Sequence, residues 1–336
     1  MNENGIEERH KSSIFSISTL FIVFLGFFTI AITSLKFAEN LNAENQSQIV
    51  SAITYLDLKD GIDNKITRDL NNKEQNNKSI DLIDCSVIEG HPSQFNLIPL
   101  LSLPGAGNTW TRFLLEQATG YLTGSVYFDR SLKSYLKGEF INFGKNSTVV
   151  VKTHNIKLLD KRRYNITGCI FIFRDLADSI LADYTRQQNR NDHTASISEE
   201  DLKKKDWNEW VRHHKRVFTH MYISGLDYCH NNTNIIFYED LKKSSESLIN
   251  TIRKTVEFIN ENSPENTKPI IFREKCLRLH TEGKFHRSHD KKDKLDPRKY
   301  IDVSERWKIN ERIKIVNQSM VDALGEDAAL PGKYLV

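Results

Sequence analysis

The sequence predicts an α/β domain of three layers, in which helices cover both faces of a mostly parallel sheet. Short β-rich runs alternate with helical patterns from Asn96 onward, and most of the runs are apolar on both faces, as covered parallel strands are. The strands are predicted at 97–103, 148–151, 168–173 and 233–238. The helices are predicted at 109–119, 176–188, 201–228 and 241–259. In such folds ligands bind at the carboxyl ends of the strands.

A glycine-rich loop joins the first predicted strand to the first predicted helix. It reads Pro104-Gly105-Ala106-Gly107-Asn108-Thr109. A buried strand, a glycine loop and a helix N-terminus together present backbone N–H groups and the positive end of the helix dipole. The segment therefore predicts a P-loop-like site for a phosphate or a similar oxyanion. An ordinary strand-to-helix turn, whose glycines only relieve strain, is the alternative.

The second predicted strand ends in a lysine and a histidine that are two positions apart. If the strand continues, Lys152 and His154 lie on one face. The lysine charge favours the neutral form of the histidine, and a neutral imidazole can take a proton from an attacking hydroxyl. A histidine that is hydrogen-bonded to backbone at a strand end is the alternative.

The third and fourth predicted strands also end in residues suited to a nucleotide. Arg174 can clamp a phosphate with its guanidinium fork, or form a salt bridge with Asp175 or Asp178. Tyr238 can line a nucleotide pocket. A later polar loop, 281–288, carries several cations and either closes over an anionic ligand or is simply solvated.

The N-terminal part of the chain predicts a membrane anchor. Residues 14–35 carry no charge and are apolar throughout, which suits a bilayer core that takes ~20 residues to cross. We therefore expect a cytoplasmic tail at 1–13, a signal anchor at 14–35, a polar stem at 36–94 and a luminal domain at 95–336. A buried core helix is the alternative for 14–35. Six Asn-x-Ser/Thr sequons follow the apolar segment, at Asn45, Asn77, Asn146, Asn165, Asn231 and Asn317.

Charge and cysteine content exclude some classes of function. The net charge of +3 is small and no Lys/Arg block dominates, so the chain has no electrostatic footprint for nucleic acid. The four cysteines lack metal-ligand spacing, and no metal site is expected. Cys169 is predicted to be a packed thiol inside a strand, whereas Cys229 and Cys276 can pair in an oxidising compartment.

Four motifs in order carry a family resemblance. PGAGNTW, VVKTH, an FxxRD turn and FYEDL follow one another as they do in sulfotransferases that use 3′-phosphoadenosine 5′-phosphosulfate (PAPS). Over roughly residues 96–324 the chain most resembles the sulfotransferase region of WSC-domain-containing proteins, whose cysteine-rich WSC module this sequence lacks. The resemblance implies a PAPS-dependent sulfotransferase.

The resemblance also implies a role for each matching residue. The 5′-phosphosulfate loop would be Gly105, Ala106, Gly107, Asn108, Thr109 and Trp110, with the Thr109 hydroxyl as a donor and Trp110 near adenine. His154 would be the general base, and Lys152 would assist the sulfuryl group. Arg174 would bind the 3′-phosphate, and Tyr238 would face the adenine. The 3′-phosphate clamp would be completed by Gly283, Lys284, Phe285 and Arg287.

Two positions depart from the family pattern. Gly105 stands where many sulfotransferases have a loop lysine, and Ala182 stands where a serine usually accompanies the 3′-phosphate arginine. We expect Arg112 or Lys152 to supply the missing cation.

The resemblance, together with the predicted membrane anchor, implies a single-pass type II Golgi membrane enzyme that sulfates a hydroxyl of a glycan or glycoprotein. A catalytically weak or inactive luminal protein of the same fold, which binds PAPS or glycan, is the first alternative. A P-loop nucleotide kinase is the second, although Thr109-Trp110-Thr111-Arg112 stands where a kinase has GK[ST].

Overall fold

The computed structural model describes residues 84–160, 162–189, 196–229, 232–281 and 295–335. The predicted tail and anchor, 1–35, lie outside the described residues, as does the predicted stem up to residue 83. Within the described ranges, no helix is both long enough and apolar enough to cross a membrane.

A parallel sheet forms the centre of the domain, as the sequence predicts, but it has five strands, and the short strand at Gly124–Ser125 was not among the four predicted. Its strands are β1 (Pro99–Ser102), β2 (Gly124–Ser125), β3 (Val151–Thr153), β4 (Cys169–Phe173) and β5 (Thr233–Phe237). The spatial order is β2-β3-β1-β4-β5, and every neighbouring pair is parallel. In this register Leu101 lies beside Thr153, and Ser102 lies beside Ile172, so the carboxyl ends of β3, β1 and β4 meet at one edge.

Helices follow the strands at nearly all predicted places. They are α1 (Asn108–Thr119), α2 (Leu176–Gln188), α3 (Glu199–Leu202), α4 (Lys205–Cys229), α5 (Tyr238–Lys243), α6 (Ser245–Glu261), α7 (Glu274–Leu279) and α8 (Val303–Leu324). The prediction of one helix over 201–228 was wrong, because the chain breaks it at Lys203 and Lys204 into α3 and α4. Likewise, Ser244 separates α5 from α6 and caps α6 by accepting from Ser247 N.

Two apolar cores confirm the three layers. Leu101 and Phe171 of the sheet face the core that also contains residues of α2, α4 and α8. Leu100 and Ile170, their neighbours along the strands, face the opposite core with α1 and α6. This alternation is the two-residue period of strands, and it explains why the strand sequences are apolar throughout.

All four cysteines are in disulfide bonds, and two predictions about them were wrong. Cys169 of β4 is not a free packed thiol but pairs with Cys229 at the end of α4. Cys276 does not pair with Cys229 but with Cys85, which precedes the sheet. Cys169 is fully buried, so its pairing stabilises the contact between the sheet and α4 from inside the core.

The segment just before the sheet, 84–94, packs on the domain although the sequence places it in the stem. Ile88 forms a parallel bridge with Tyr121. The Arg273 guanidinium donates to the Ser86 carbonyl at 2.7 Å and to the Asp84 carbonyl at 2.8 Å. Together with the Cys85–Cys276 disulfide, these contacts fasten the start of the described chain to α7.

Candidate functional site

Two positions of the glycine loop have a backbone conformation and close neighbours that exclude a side chain. Gly105 and Gly107 have φ values of +82° and +95°, which L-residues rarely adopt. A Cβ atom at Gly105 would stand 2.1 Å from the Ser179 carbonyl oxygen, and one at Gly107 would stand 2.4 Å from the Tyr238 ring. The loop therefore packs closely against α2 at Gly105 and against α5 at Gly107, and neither position has room for a side chain.

The helix that follows the loop starts with Gly107 as its N-cap, without a side-chain cap. The start of such a helix presents backbone N–H groups and the positive end of the helix dipole, which suit an anion. The Asn108 side chain does not face outward, because its Nδ2 donates to the Leu100 carbonyl at 3.1 Å and to Ser102 Oγ at 3.0 Å. Its buried Oδ1 has no hydrogen-bond partner among the described residues.

The other loop residues differ in exposure. Thr109 is partly exposed, and Ala106 is buried. Trp110 is 4% exposed and meets Tyr238 edge to face, with ring centroids 5.7 Å apart. The Trp110 and Tyr238 rings therefore form one aromatic wall beside the loop.

His154 lies directly beside the loop strand. Its Nδ1 lies 2.6 Å from the Ser102 carbonyl oxygen, which can only accept, so Nδ1 carries the proton. Neutral His154 then keeps a lone pair on Nε2. Burial, and then the charge of Lys152, lower the pKa of His154 to about 3. The imidazole is therefore neutral at physiological pH, which is the form that a general base needs.

Tyr127, which the sequence analysis missed, orients the same histidine. Its ring stacks on the His154 ring at 5.3 Å, and its hydroxyl accepts from the His154 backbone N–H at 3.0 Å. Lys152 Nζ lies 5.8 Å from the centre of the Tyr127 ring. No motif marked Tyr127, because it reaches the site from the segment after β2.

Lys152 is a buried cation. Its side chain lies at the end of β3, and the residue is 6% exposed. Burial, followed by the charge of Arg112, lowers its pKa to about 8. The ammonium is thus charged at neutral pH but loses its proton more readily than an ordinary lysine.

Arg174 joins the third strand end to the loop. Its Nη1 donates to the Gly105 carbonyl at 2.8 Å, and its guanidinium carbon lies 4.5 Å from the centre of the Tyr238 ring. Its buried Nε has no hydrogen-bond partner among the described residues. The alternative salt bridge is made by another residue, because Arg298 pairs with both Asp175 and Asp178.

Arg112 is not available as the missing cation. The fully buried Arg112 guanidinium pairs with the fully buried Glu139 carboxylate. It also donates to the Thr123 hydroxyl at 2.9 Å and to the Thr123 carbonyl at 3.0 Å. Arg112 is therefore a structural residue of α1, and of the two cations that the sequence offered only Lys152 remains at the site.

The structure thus brings three strand ends together through direct contacts. His154 touches the chain at Ser102, and Arg174 touches it at Gly105. The other part of the predicted clamp, Gly283, Lys284, Phe285 and Arg287, lies outside the described residues. Among the residues that are described, no group of three or more His, Cys, Asp or Glu side chains is placed to hold a metal ion.

Part of this chain is similar in sequence to known proteins. A WSCD family member from Aedes aegypti is 32% identical over 206 residues, which is 60% of this chain and 61% of the relative. WSCD family members from Drosophila melanogaster and Drosophila pseudoobscura pseudoobscura are each 32% identical over 193 residues, which is 57% of this chain and of each relative. The chain is similar to WSCD family members. The resemblance to WSC-domain-containing proteins that the motifs predicted is thereby confirmed.

The extent of these similarities is limited. The chain matches about three fifths of the length of the curated relatives. No family model matches the chain. Among solved structures, that of mouse sulfotransferase SULT7A1 complexed with PAP is similar with a TM-score of 0.42 and 14% identity, over 69% of this chain and 85% of that chain.

Proposed function

We propose that this chain is a sulfotransferase that moves a sulfuryl group from PAPS to a hydroxyl of a glycan or glycoprotein. The observation that carries the proposal is the neutral His154, which is protonated at Nδ1 and lies beside buried Lys152 at the strand ends next to the glycine loop. The motif order and the similarity to WSCD family members support it.

The residues present fit a donor with phosphate and sulfate groups. The glycine loop has no side chain at Gly105 and Gly107, where a Cβ would collide with Ser179 and Tyr238. Arg174 Nε is a buried donor atom without a partner among the described residues, and a guanidinium suits a phosphate. The Trp110 and Tyr238 rings offer an aromatic wall for a base. When bound, PAPS supplies the sulfuryl group.

The chain's own residues would then act by position and charge. His154 Nε2 accepts the proton of the acceptor hydroxyl as its oxygen attacks sulfur. Lys152 and the N–H groups at the start of α1 hold the negative charge of the transferring and leaving groups. The reaction resembles phosphoryl transfer, in which positioning and charge provide most of the catalysis.

The first experiment measures transfer of radiolabelled sulfate from PAPS to a panel of glycoproteins, with binding of adenosine 3′,5′-bisphosphate measured by calorimetry. We expect both. Bisphosphate binding without transfer to any acceptor would instead support the inactive binding protein, which the missing lysine at Gly105 favours. Tighter binding of ATP with Mg²⁺ would support the kinase.

Arg174 tests the donor site in the same assay. Replacing it by Ala removes a charged donor, and hydrogen bonds to charged groups contribute about 1.5–3 kcal/mol, so we expect bisphosphate affinity to fall roughly 10–100-fold. Arg216→Ala, which removes an exposed arginine of α4, is the matched control and should leave affinity unchanged. Equal affinity of Arg174→Ala and the parent protein would contradict the assignment.

We also propose that the domain lies in the lumen of the Golgi, behind a type II membrane anchor. Two disulfides support an oxidising compartment. The sequon residue Asn165 is exposed, and its side-chain Nδ2 donates to Asn96 Oδ1 at 3.3 Å. We expect Asn165→Gln to remove one glycosidase-sensitive step in gel mobility when the full chain is expressed in animal cells. If Asn165→Gln has the same gel mobility as the parent chain, Asn165 is not glycosylated. If glycosidase treatment changes the mobility of neither chain, the result counts against luminal placement.

A further inference from the structure

Two neighbouring strand ends carry the donor-site residues Arg174 and Tyr238. Strands β4 and β5 pair in parallel as far as Phe173 and Phe237, and the two site residues directly follow these last paired positions. The Arg174 guanidinium carbon lies 4.5 Å from the centre of the Tyr238 ring, and Arg174 Nη1 donates to the Gly105 carbonyl at 2.8 Å. The contacts that join the two strand ends therefore also set the geometry of the donor site.

Glu239 joins these strand ends where the regular pairing stops. The chain turns into α5 at Tyr238, and the pairing of β5 with β4 ends at Phe237. The backbone N–H of Asp175, the residue after Arg174, instead donates to Glu239 Oε1 at 3.1 Å. The side chain of the residue after Tyr238 is thus bonded to the backbone of the residue after Arg174.

Other elements hold both partners of this hydrogen bond. The hydroxyl of Tyr334 donates to Glu239 Oε2, so both oxygens of the Glu239 carboxyl group accept a hydrogen bond. Tyr334 is 3% exposed, and its ring meets the Phe237 ring edge to face, with centroids 6.1 Å apart. Asp175 is also buried, and its carboxylate pairs with Arg298. The hydrogen bond between Glu239 and Asp175 is therefore anchored at both ends.

We propose that Glu239 is a positioning residue of the donor site, and that Tyr334 fixes it in that role. The inference rests on the proposed sulfotransferase function. Glu239 acts through the backbone of Asp175, which sets where the Arg174 guanidinium lies between the glycine loop and the Tyr238 ring. Without Glu239, the free protein holds Arg174 in the binding arrangement for a smaller fraction of the time, and donor affinity falls by that fraction.

The test measures binding of adenosine 3′,5′-bisphosphate by calorimetry and PAPS kinetics on the same folded preparations. In Glu239→Ala we expect bisphosphate affinity to fall about 10-fold, as when the binding arrangement is populated about a tenth of the time. The KM for PAPS should rise by a similar factor. At saturating PAPS, kcat should stay within about threefold, because the same contact is lost from the ground state and the transition state. Glu257→Ala, which removes an exposed glutamate of α6, is the matched control and should change neither quantity.

Two conservative substitutions distinguish positioning from a general loss of stability. Glu239→Gln keeps an oxygen that can accept from the Asp175 N–H and gains an amide that can donate to the Tyr334 oxygen, so affinity should stay within about twofold of the parent. Tyr334→Phe keeps the packing of the ring and removes only the hydroxyl. We expect it to lower bisphosphate affinity about threefold, because Glu239 then keeps only one of its two hydrogen bonds.

A double-mutant cycle with Arg174→Ala identifies the residue through which Glu239 acts. If Glu239 acts by placing Arg174, its removal costs little once the arginine is gone. We therefore expect Glu239→Ala to lower bisphosphate affinity less than about twofold in the Arg174→Ala background. A loss that stays about 10-fold in that background would overturn the inference, since the two residues would then act independently.

The outcomes separate this inference from the function on which it rests. If the parent protein binds bisphosphate and folded Glu239→Ala binds it with equal affinity, Glu239 has no positioning role, although the proposed function stands. If Glu239→Ala does not fold, an unchanged affinity in folded Tyr334→Phe overturns the inference in the same way. If the parent protein neither binds bisphosphate nor transfers sulfate, the proposed function and the inference are both wrong.

Discussion

Replacing His154 by Ala is expected to abolish most of the sulfate transfer while leaving the donor site intact. General bases contribute about 10²–10⁴-fold in rate, so kcat should fall by that factor. Bisphosphate affinity should stay within about twofold, because the contacts of His154 are to Ser102 and Tyr127 rather than to the glycine loop at 105–107. Steady-state kinetics and calorimetry on the same preparation measure both quantities.

His220→Ala is the matched control for this experiment, since His220 is exposed on α4. The His154 variant also loses one hydrogen bond to the Ser102 carbonyl, which is worth about 1 kcal/mol of stability, so its melting temperature should fall only slightly. A folded His154→Ala protein with nearly the parent turnover would remove the histidine from the reaction, and the acceptor would then need another base.

The positions of the strand ends could be predicted from the sequence because they depend on local patterns. The apolar runs gave the strands, and the carboxyl ends of parallel strands meet at one edge. The second predicted strand, 148–151, was early by a few residues, since β3 pairs with its neighbours at Val151–Thr153. Strand boundaries depend on which backbone groups find partners across the sheet, and sequence patterns do not encode that.

The long helix α8 shows a signal that the sequence analysis did not use. Ile309, Ile313, Val316 and Met320 are buried and follow helical spacing. They pack in the core that also contains residues of α4. Charged residues stand between these apolar positions and obscure the pattern. The apolar face becomes visible only when the residues are arranged by their angle around the helix axis.

Other features of the site depend on contacts between distant parts of the chain. Arg112 follows the loop and looked available, but Glu139 and Thr123 hold it in the core. Ser102 was only a strand residue in the sequence, yet its carbonyl fixes the proton on His154. The pairing of Cys85 with Cys276 is equally long-range, with a sequence separation of 191. Residue spacing alone carries no information on such pairs.

Replacing Lys152 by Ala should also cost about 10²–10³-fold in kcat/KM, because a buried cation aimed at developing charge is one preorganised donor. Lys157→Ala removes an exposed lysine five residues later and is the matched control. Thermal melting checks that the variant folds. An alanine variant that folds and keeps the parent kcat/KM would show that the charge of Lys152 does not act on the reaction.

The pH dependence gives the sharper test of Lys152. Its pKa is lowered to about 8 by burial and then by Arg112, so in the free protein the ammonium is present below pH 8 and is lost as the pH rises through that value. Because kcat/KM reports groups of the free enzyme, it should decline above about pH 8 rather than above the ~10.4 of an ordinary lysine.

The profile of kcat/KM against pH should show no titration of His154 near neutral pH. The pKa of His154 is about 3, so its imidazole is neutral throughout that range. A bound anion favours the ammonium, so the decline in kcat should begin at a higher pH than the decline in kcat/KM. The residual activity of Lys152→Ala should lack the alkaline limb. If that limb persists unchanged in Lys152→Ala, it belongs to another group, and the lysine beside the base has no part in setting the pH range of the reaction.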